Sequence, residues 1–249
     1  MEIIKNIFDL NKAINDFGNF GFIPTMGGIH KGHISLVKKS QKKCKKTIVS
    51  IFVNPTQFNR KKDFTSYPRN LSQDIKILKK LKVDYLFIPT VREIYKKKLK
   101  NFKIILSDKI LCAKHRKGHF EGVLNIMNRL LYLIKAKHVF MGEKDFQQIF
   151  LIKKYLSRKH NIKIVNCKTV RDKNKVALST RNNLLTKKNY YKLVTIIKYF
   201  IELKKKLLIK NKYLNINIKN LSKNIEKNFK IKIDYFEIRS EKNLKIIIK

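Results

Sequence analysis

Ten consecutive residues, PTMGGIHKGH from Pro24 to His33, hold three of the chain's eight glycines and two of its six histidines. Glycines at 27, 28 and 32 let the backbone pass close to a phosphate. A helix beginning near Gly32 would aim its free amides and positive dipole end at the same place. Two imidazoles spaced His-x-x-His, His30 and His33, add donors where charge develops during attack at phosphorus. A metal pair, or a tight turn with incidental histidines, is the alternative. No third Cys, His or carboxylate lies close in sequence, so no metal ligand is assigned, although a ligand from elsewhere stays open.

Such a cluster needs elements to hold it. The apolar run before it and the amphipathic run after it predict a strand handing over to a helix. Similar β-branched runs recur at 47–53 (TIVSIFV), 83–89 (VDYLFIP), 138–142 (HVFMG) and 162–170 (IKIVNCKTV). Between most of them lie helical segments at 33–44, 70–82, 122–136 and 145–159. In the second of these Leu71, Ile75, Leu78 and Leu81 repeat at the spacing of one helical face. Strand and helix alternate, which predicts an α/β fold: right-handed βαβ units, a Rossmann-like parallel sheet with helices on both faces, and ligands beyond the carboxyl ends of the strands. After Arg171 a polar stretch leads into a lysine-rich helix at about 184–208, a shorter helix and the strand-like IKIDYFEIRS. Two domains are expected, 1–172 for nucleotide binding and a smaller α+β domain at 173–249.

Composition narrows the class. At 249 residues and 43% hydrophobic, the chain can bury a real core. Three unpaired-looking cysteines, an opening without a signal-peptide profile and the lack of a lysine-free apolar span predict a cytoplasmic protein with no membrane association. A formal charge of +42 invites a nucleic-acid reading, but the lysines run from end to end and only nine of the 59 basic residues are arginine. Lysine, asparagine and isoleucine share AT-rich codons, so codon drift explains the excess and no specific nucleic-acid partner is expected.

The loop TMGGIHKGH resembles the HxGH signature of a nucleotidyltransferase superfamily that includes class I aminoacyl-tRNA synthetases. An ordered set follows it: VSIFVNPTQFN (49–59), YPRNLSQD (67–74), GHFEGV (118–123), GEKDFQQ (142–148) and ALSTRN (177–182). Together they resemble the pantothenate synthetase family from about Phe22 to Arg239. The resemblance implies an ATP-dependent ligase that makes pantothenate from (R)-pantoate and β-alanine through pantoyl adenylate, with Mg2+ arriving on ATP and with a homodimer as the assembly. It implies catalytic roles for His33, as proton donor, and for His30, Lys144 and Arg181. ATP contacts are implied for Met26, Gly27, Gly28, Ile29, His30, Lys31, Gly32 and His33. Gly142, Glu143, Lys144 and Asp145 would add to them, Asp145 through a ribose hydroxyl. Val170, Leu178, Ser179, Thr180 and Arg181 complete the set, the last four closing over the phosphates. Gln57 and Gln148 would bind pantoate through neutral amides.

Another HxGH-type adenylyltransferase, acting on a phosphorylated acceptor, shares the loop but has no reason to carry FVNPTQF and GEKDFQQ together. A noncatalytic nucleic-acid module would need stacked aromatic platforms, which are not seen in the sequence. The chain also departs from the family pattern. Thr180 stands where a second serine is usual, Asn174-Lys175 replaces an Asp-Gly pair, and the end at IIIK falls short of a usual closing strand.

Overall fold

The structure is a computed structural model and describes residues 1–14, 19–95, 101–208 and 217–248. In chain order the strands are β1 (Glu2–Ile4), β2 (Phe20–Thr25), β3 (Lys46–Ile51), β4 (Tyr85–Phe87), β5 (His138–Gly142), β6 (Lys163–Cys167), β7 (Ile238–Arg239) and β8 (Ile246–Ile248). The helices are α1 (Ile7–Ile14), α2 (Lys31–Lys43), α3 (Lys61–Thr65), α4 (Leu71–Lys80), α5 (Val91–Tyr95), α6 (Cys112–His115), α7 (His119–Ile134), α8 (Phe146–Leu156), α9 (Lys187–Leu208) and α10 (Ile218–Phe229). They form two compact units. One is Met1–Arg171 with Ala177–Leu184; the other is Asp172–Val176 with Leu185–Lys249. The chain therefore passes between units more than once, where the sequence suggested one boundary near Asp172.

The first unit is built on a six-stranded sheet of order β1-β4-β3-β2-β5-β6, parallel throughout. Alternation along its strands divides two cores. Phe20, Phe22, Ile48, Phe87, Val139 and Met141 face one side, with Leu124, Met127, Leu130 and Leu131 of α7 and Ile149 and Ile152 of α8. Ile23, Val49, Ile51, Leu86 and Phe140 face the other, with Leu36 and Val37 of α2 and Leu78 of α4. This is the α/β architecture with helices on both faces that the alternation predicted.

Three details shape the site. Helix α7 begins at His119, earlier than the apolar period suggested, because Gly118 turns the chain at φ +77 just ahead of it. Within α7, Gly122 is needed for space: a Cβ there would stand 2.4 Å from the Thr56 carbonyl oxygen. The two central strands β2 and β3 end at Thr25 and Ile51, directly before the glycine loop and the Asn54–Gln57 turn. Both motifs leave the sheet at its carboxyl edge.

In the second unit, Ile225 of α10 is fully buried and β7 pairs antiparallel with β8. Only Ile238–Arg239 of the strand-like IKIDYFEIRS is extended and paired, and its partner is drawn from the terminal isoleucines. The hairpin at 172–176 turns through Lys175 at φ +66. Asp172 anchors it, taking the backbone N–H groups of Asn174 at 2.8 Å and Val176 at 3.0 Å and the Tyr190 hydroxyl.

Candidate functional site

The glycine loop is fixed from two sides. Gly27 and Gly28 sit at φ +80 and +63, a region few other residues tolerate. Asp74 of α4, only 2% exposed, accepts the N–H of Gly28 at 2.8 Å and that of Ile29 at 2.7 Å. Both of these loop amides are thus taken by one carboxylate. On the other side the Thr180 hydroxyl lies 3.2 Å from the Gly28 carbonyl oxygen and 3.4 Å from that of Gly27.

His30 is the N-cap of α2. Its Nδ1 accepts the Gly32 N–H at 3.1 Å, while the Nδ1 of His33 accepts the His30 N–H at 3.4 Å, a reciprocal capping box built from two imidazoles. The rings stack with centroids 4.1 Å apart. Burial, with help from Lys144, lowers the pKa of His30. Burial, then the neighbouring His30 and Lys144, drives that of His33 down to about 3. Both rings are therefore neutral at pH 7. A neutral imidazole whose Nδ1 accepts must carry its proton on Nε2, so each ring offers an Nε2–H donor. His33 thus presents an Nε2–H to the cavity.

A second wall comes from the Asn54–Gln57 turn and α7. Asn54, 1% exposed, accepts the Tyr95 hydroxyl at 2.6 Å and donates to the Gln57 Oε1 and the Gly122 carbonyl, both at 3.2 Å. Gln57 is thereby oriented, with its Nε2 donating to the Met26 sulfur at 3.0 Å, a weak acceptor that a substrate oxygen could replace. His119 donates from Nδ1 to the Gln57 carbonyl at 2.7 Å. Burial lowers its pKa, so it is neutral with an accepting Nε2. Gln57, Gln148 and these histidines share one cavity with an apolar lining that includes Pro24, Met26, Phe52, Val123, Ile126, Met127 and Phe140.

The third wall follows β5 and β6. Lys144 and Asp145 lie in the turn after β5, with Lys144 Nζ 3.3 Å from Asp145 Oδ1, and α8 brings Gln148 to the same cavity. The Leu178 N–H bonds to the Val170 carbonyl at 3.0 Å, which lays the LSTR segment along the strand exit. Arg181 lines the cavity with its guanidinium held bidentate by Asp63, at 3.2 and 3.0 Å, and stacked over Tyr67 at 5.1 Å. Arg116 stands 4.0 Å from the same carboxylate.

Of the residues implicated by motif, Met26, His30, Gly32, His33, Gln57, Gly142, Lys144, Asp145, Gln148, Val170, Leu178, Ser179, Thr180 and Arg181 line this cavity. Gly27, Gly28, Ile29, Lys31 and Glu143 are not on its wall; the first three belong to the loop behind it and Lys31 points to solvent. Asn54, Asp63, Tyr67, Asp74, Arg116 and His119 were not assigned roles from sequence, although most lie inside the quoted motifs. Their functions depend on partners dozens of residues away. Among the described residues no three His, Cys, Asp or Glu side chains gather to hold a metal, and no helix is long and apolar enough to cross a membrane.

Comparison with known proteins is consistent along the whole chain. Residues 2–248 match the family model described as pantoate-beta-alanine ligase. A pantothenate synthetase from Flavobacterium psychrophilum is 39% identical over 239 residues, spanning 94% of this chain and 84% of that protein. One from Pseudothermotoga lettingae is 36% identical, spanning 100% of this chain and 90% of its own length. Among solved structures, pantoate-beta-alanine ligase from Francisella tularensis, complexed with beta-gamma ATP and beta-alanine, is 37% identical with a TM-score of 0.85, covering 96% of this chain and 90% of that one. Pantothenate synthetase from Thermus thermophilus superposes with a TM-score of 0.87 at 27% identity, covering 99% and 90%.

Proposed function

The chain belongs to the pantoate-beta-alanine ligase family, and from that premise we propose how its cavity carries the reaction. It is an ATP-dependent ligase of pantothenate biosynthesis that joins pantoate to β-alanine. A carboxylate is a poor electrophile. Pantoate therefore attacks the α-phosphorus of ATP through a carboxylate oxygen and releases pyrophosphate. The amine of β-alanine then attacks the acyl carbon and AMP leaves.

We assign His30 and His33 to the phosphates. What supports this most is a pair of neutral imidazoles, stacked at the N-terminus of α2 and opening on the same cavity as Gln57, Gln148 and Lys144. Each offers an Nε2–H where charge grows on phosphate oxygens, and needs no prior protonation. The approaching triphosphate is a nearby negative charge that favours the imidazolium form, and so raises the pKa of His33 from its depressed value toward one at which proton transfer to pyrophosphate is accessible. Lys144 contributes its charge to the phosphates and Asp145 accepts a ribose hydroxyl. Ser179 and Arg181 complete the phosphate contacts, Arg181 by exchanging Asp63 for the more highly charged ligand.

Pantoate suits the remaining half of the cavity. Its two methyl groups match the apolar lining by Phe52, Val123 and Met127, and its oxygens meet the amides of Gln57 and Gln148. His119, neutral and with an accepting Nε2, takes the proton that β-alanine must lose before it attacks. Mg2+ enters as part of the ATP substrate, held by phosphate oxygens. We further assign a homodimer in the cytoplasm, the latter supported by three cysteines that form no disulfide.

ATP–pyrophosphate exchange tests the reading. It should depend on pantoate and be absent with nicotinamide mononucleotide or with no acceptor. Exchange driven by the mononucleotide would transfer the chain to the adenylyltransferase reading.

A further inference from the structure

Asp74 takes no part in the chemistry just assigned, yet it is 2% exposed and both its oxygens are engaged by one loop. The peptide units Gly27–Gly28 and Gly28–Ile29 are each bonded at the N–H end, while their two carbonyls share one hydroxyl proton. Asp74 takes their N–H groups, those of Gly28 and Ile29, at 2.8 and 2.7 Å. The Thr180 hydroxyl faces their carbonyls, those of Gly27 and Gly28, at 3.4 and 3.2 Å.

Glycine admits both clamps. A Cβ on Gly27 would stand 2.9 Å from Asp74 Oδ2, and one on Gly28 would stand 2.2 Å from Thr180 Cγ2. The next residue is His30, whose N–H reaches the His33 Nδ1 and whose own Nδ1 caps Gly32. Whatever fixes the plane of the Gly28–Ile29 peptide therefore fixes where the capping pair begins.

We propose that Asp74 and Thr180 are a pair of positioning residues that hold the glycine turn from opposite faces, orient His30 and His33 for attack at phosphorus, and tie the Leu178–Arg181 segment to that turn. The proposal rests on the role given to the two histidines above. A carboxylate gives each of the two N–H groups an acceptor oxygen of its own, as Oδ2 and Oδ1 do here; an asparagine in the same pose would set its own amide hydrogens against one of them. Thr180 acts through its hydroxyl, and its methyl fills the space over Gly28.

The test compares pantoate-dependent exchange in the full chain carrying Asp74→Asn, Thr180→Val, Thr180→Ser or the double change Asp74→Asn with Thr180→Val. Asp74→Asn and Thr180→Val should each lower the maximal rate by roughly tenfold or more, with KM for ATP and pantoate within about threefold of the parent. Thr180→Ser should recover most of the rate lost in Thr180→Val. In the double variant the losses should fall well short of multiplying, because both act on the same peptide units. A Thr180→Val enzyme at the parental maximal rate, or one changed only in KM, overturns the proposal. So does a Thr180→Ser enzyme as impaired as Thr180→Val.

A second readout does not need turnover. The 15N shifts of the two imidazoles should report fixed Nε2–H tautomers in the parent and averaged ones in Thr180→Val; unchanged spectra also overturn it. If the parent lacks pantoate-dependent exchange, the ligase reading fails, while the imidazole spectra still decide the clamp.

Discussion

At the scale of single residues, the proposed mechanism depends on imidazoles that burial keeps neutral. His33→Ala should lower pantoyl-adenylate formation in a single turnover by on the order of 100-fold, because the lost donor matters most when charge moves onto the leaving phosphates. The depressed pKa of His33, about 3, makes a second prediction. With the triphosphate beside His33 as proposed, its negative charge raises that pKa, so ATP binding near pH 6 should take up protons. Calorimetry in buffers of different ionisation enthalpy measures this uptake, and proton release would contradict the assignment. The same shift bears on stability. An unfolded histidine binds a proton below its ordinary pKa near 6.5 and folded His33 does not, so its contribution is intact above pH 6.5. It declines as the pH falls toward 3, by up to about 1.4 kcal/mol per pH unit. Gln57→Leu and Gln148→Leu should each raise the pantoate KM at a cost of about 1–3 kcal/mol in binding while leaving ATP affinity nearly unchanged. Weakened ATP binding with an unaltered pantoate KM would move these glutamines to the other substrate.

At the scale of elements, the departure at Lys175 has a structural cost: φ +66 suits glycine and strains a side chain. Lys175→Gly should stabilise the fold by roughly 0.5 kcal/mol, the relieved strain outweighing the extra freedom of an unfolded glycine. Denaturant melts of the two forms measure it. The sheet was legible because β2 and β5 are apolar runs bounded by turn residues, and the alternation between them had one simple topology. Strand β1 was not, since Glu2–Ile4 has three residues at a sheet edge, only Ile4 buried, and no period to detect. IKIDYFEIRS misled for the opposite reason: β-branched residues occur there, but its unit pairs only two of its residues. Within the site the motifs pointed to the walls and missed the supports. Asp74 meets Gly28 across 46 residues and Asp63 meets Arg181 across 118, and no local pattern encodes such a meeting.

At the scale of the whole molecule, a formal charge of +42 acts on everything the protein meets. Filter binding should find weak, sequence-independent DNA affinity at low salt that has largely vanished by physiological ionic strength, as expected for lysines contacting phosphates without reading bases. Tight and selective binding there would show that codon drift is not the whole explanation. The sheet order carries a different consequence, for how the chain is made. Strand β2 lies between β3 and β5, and β5 begins only at His138. As the polypeptide leaves the ribosome, β2 and β3 can pair early, but one flank of β2 stays an open template until β5 has been synthesised. β1, the first strand to emerge, likewise waits for β4 at Tyr85–Phe87. For that interval the nascent chain exposes the strand edges that the finished sheet conceals. Any pause in translation before β5 has emerged would prolong that interval, and the middle of the sheet, at β2, is completed later than its β1 edge.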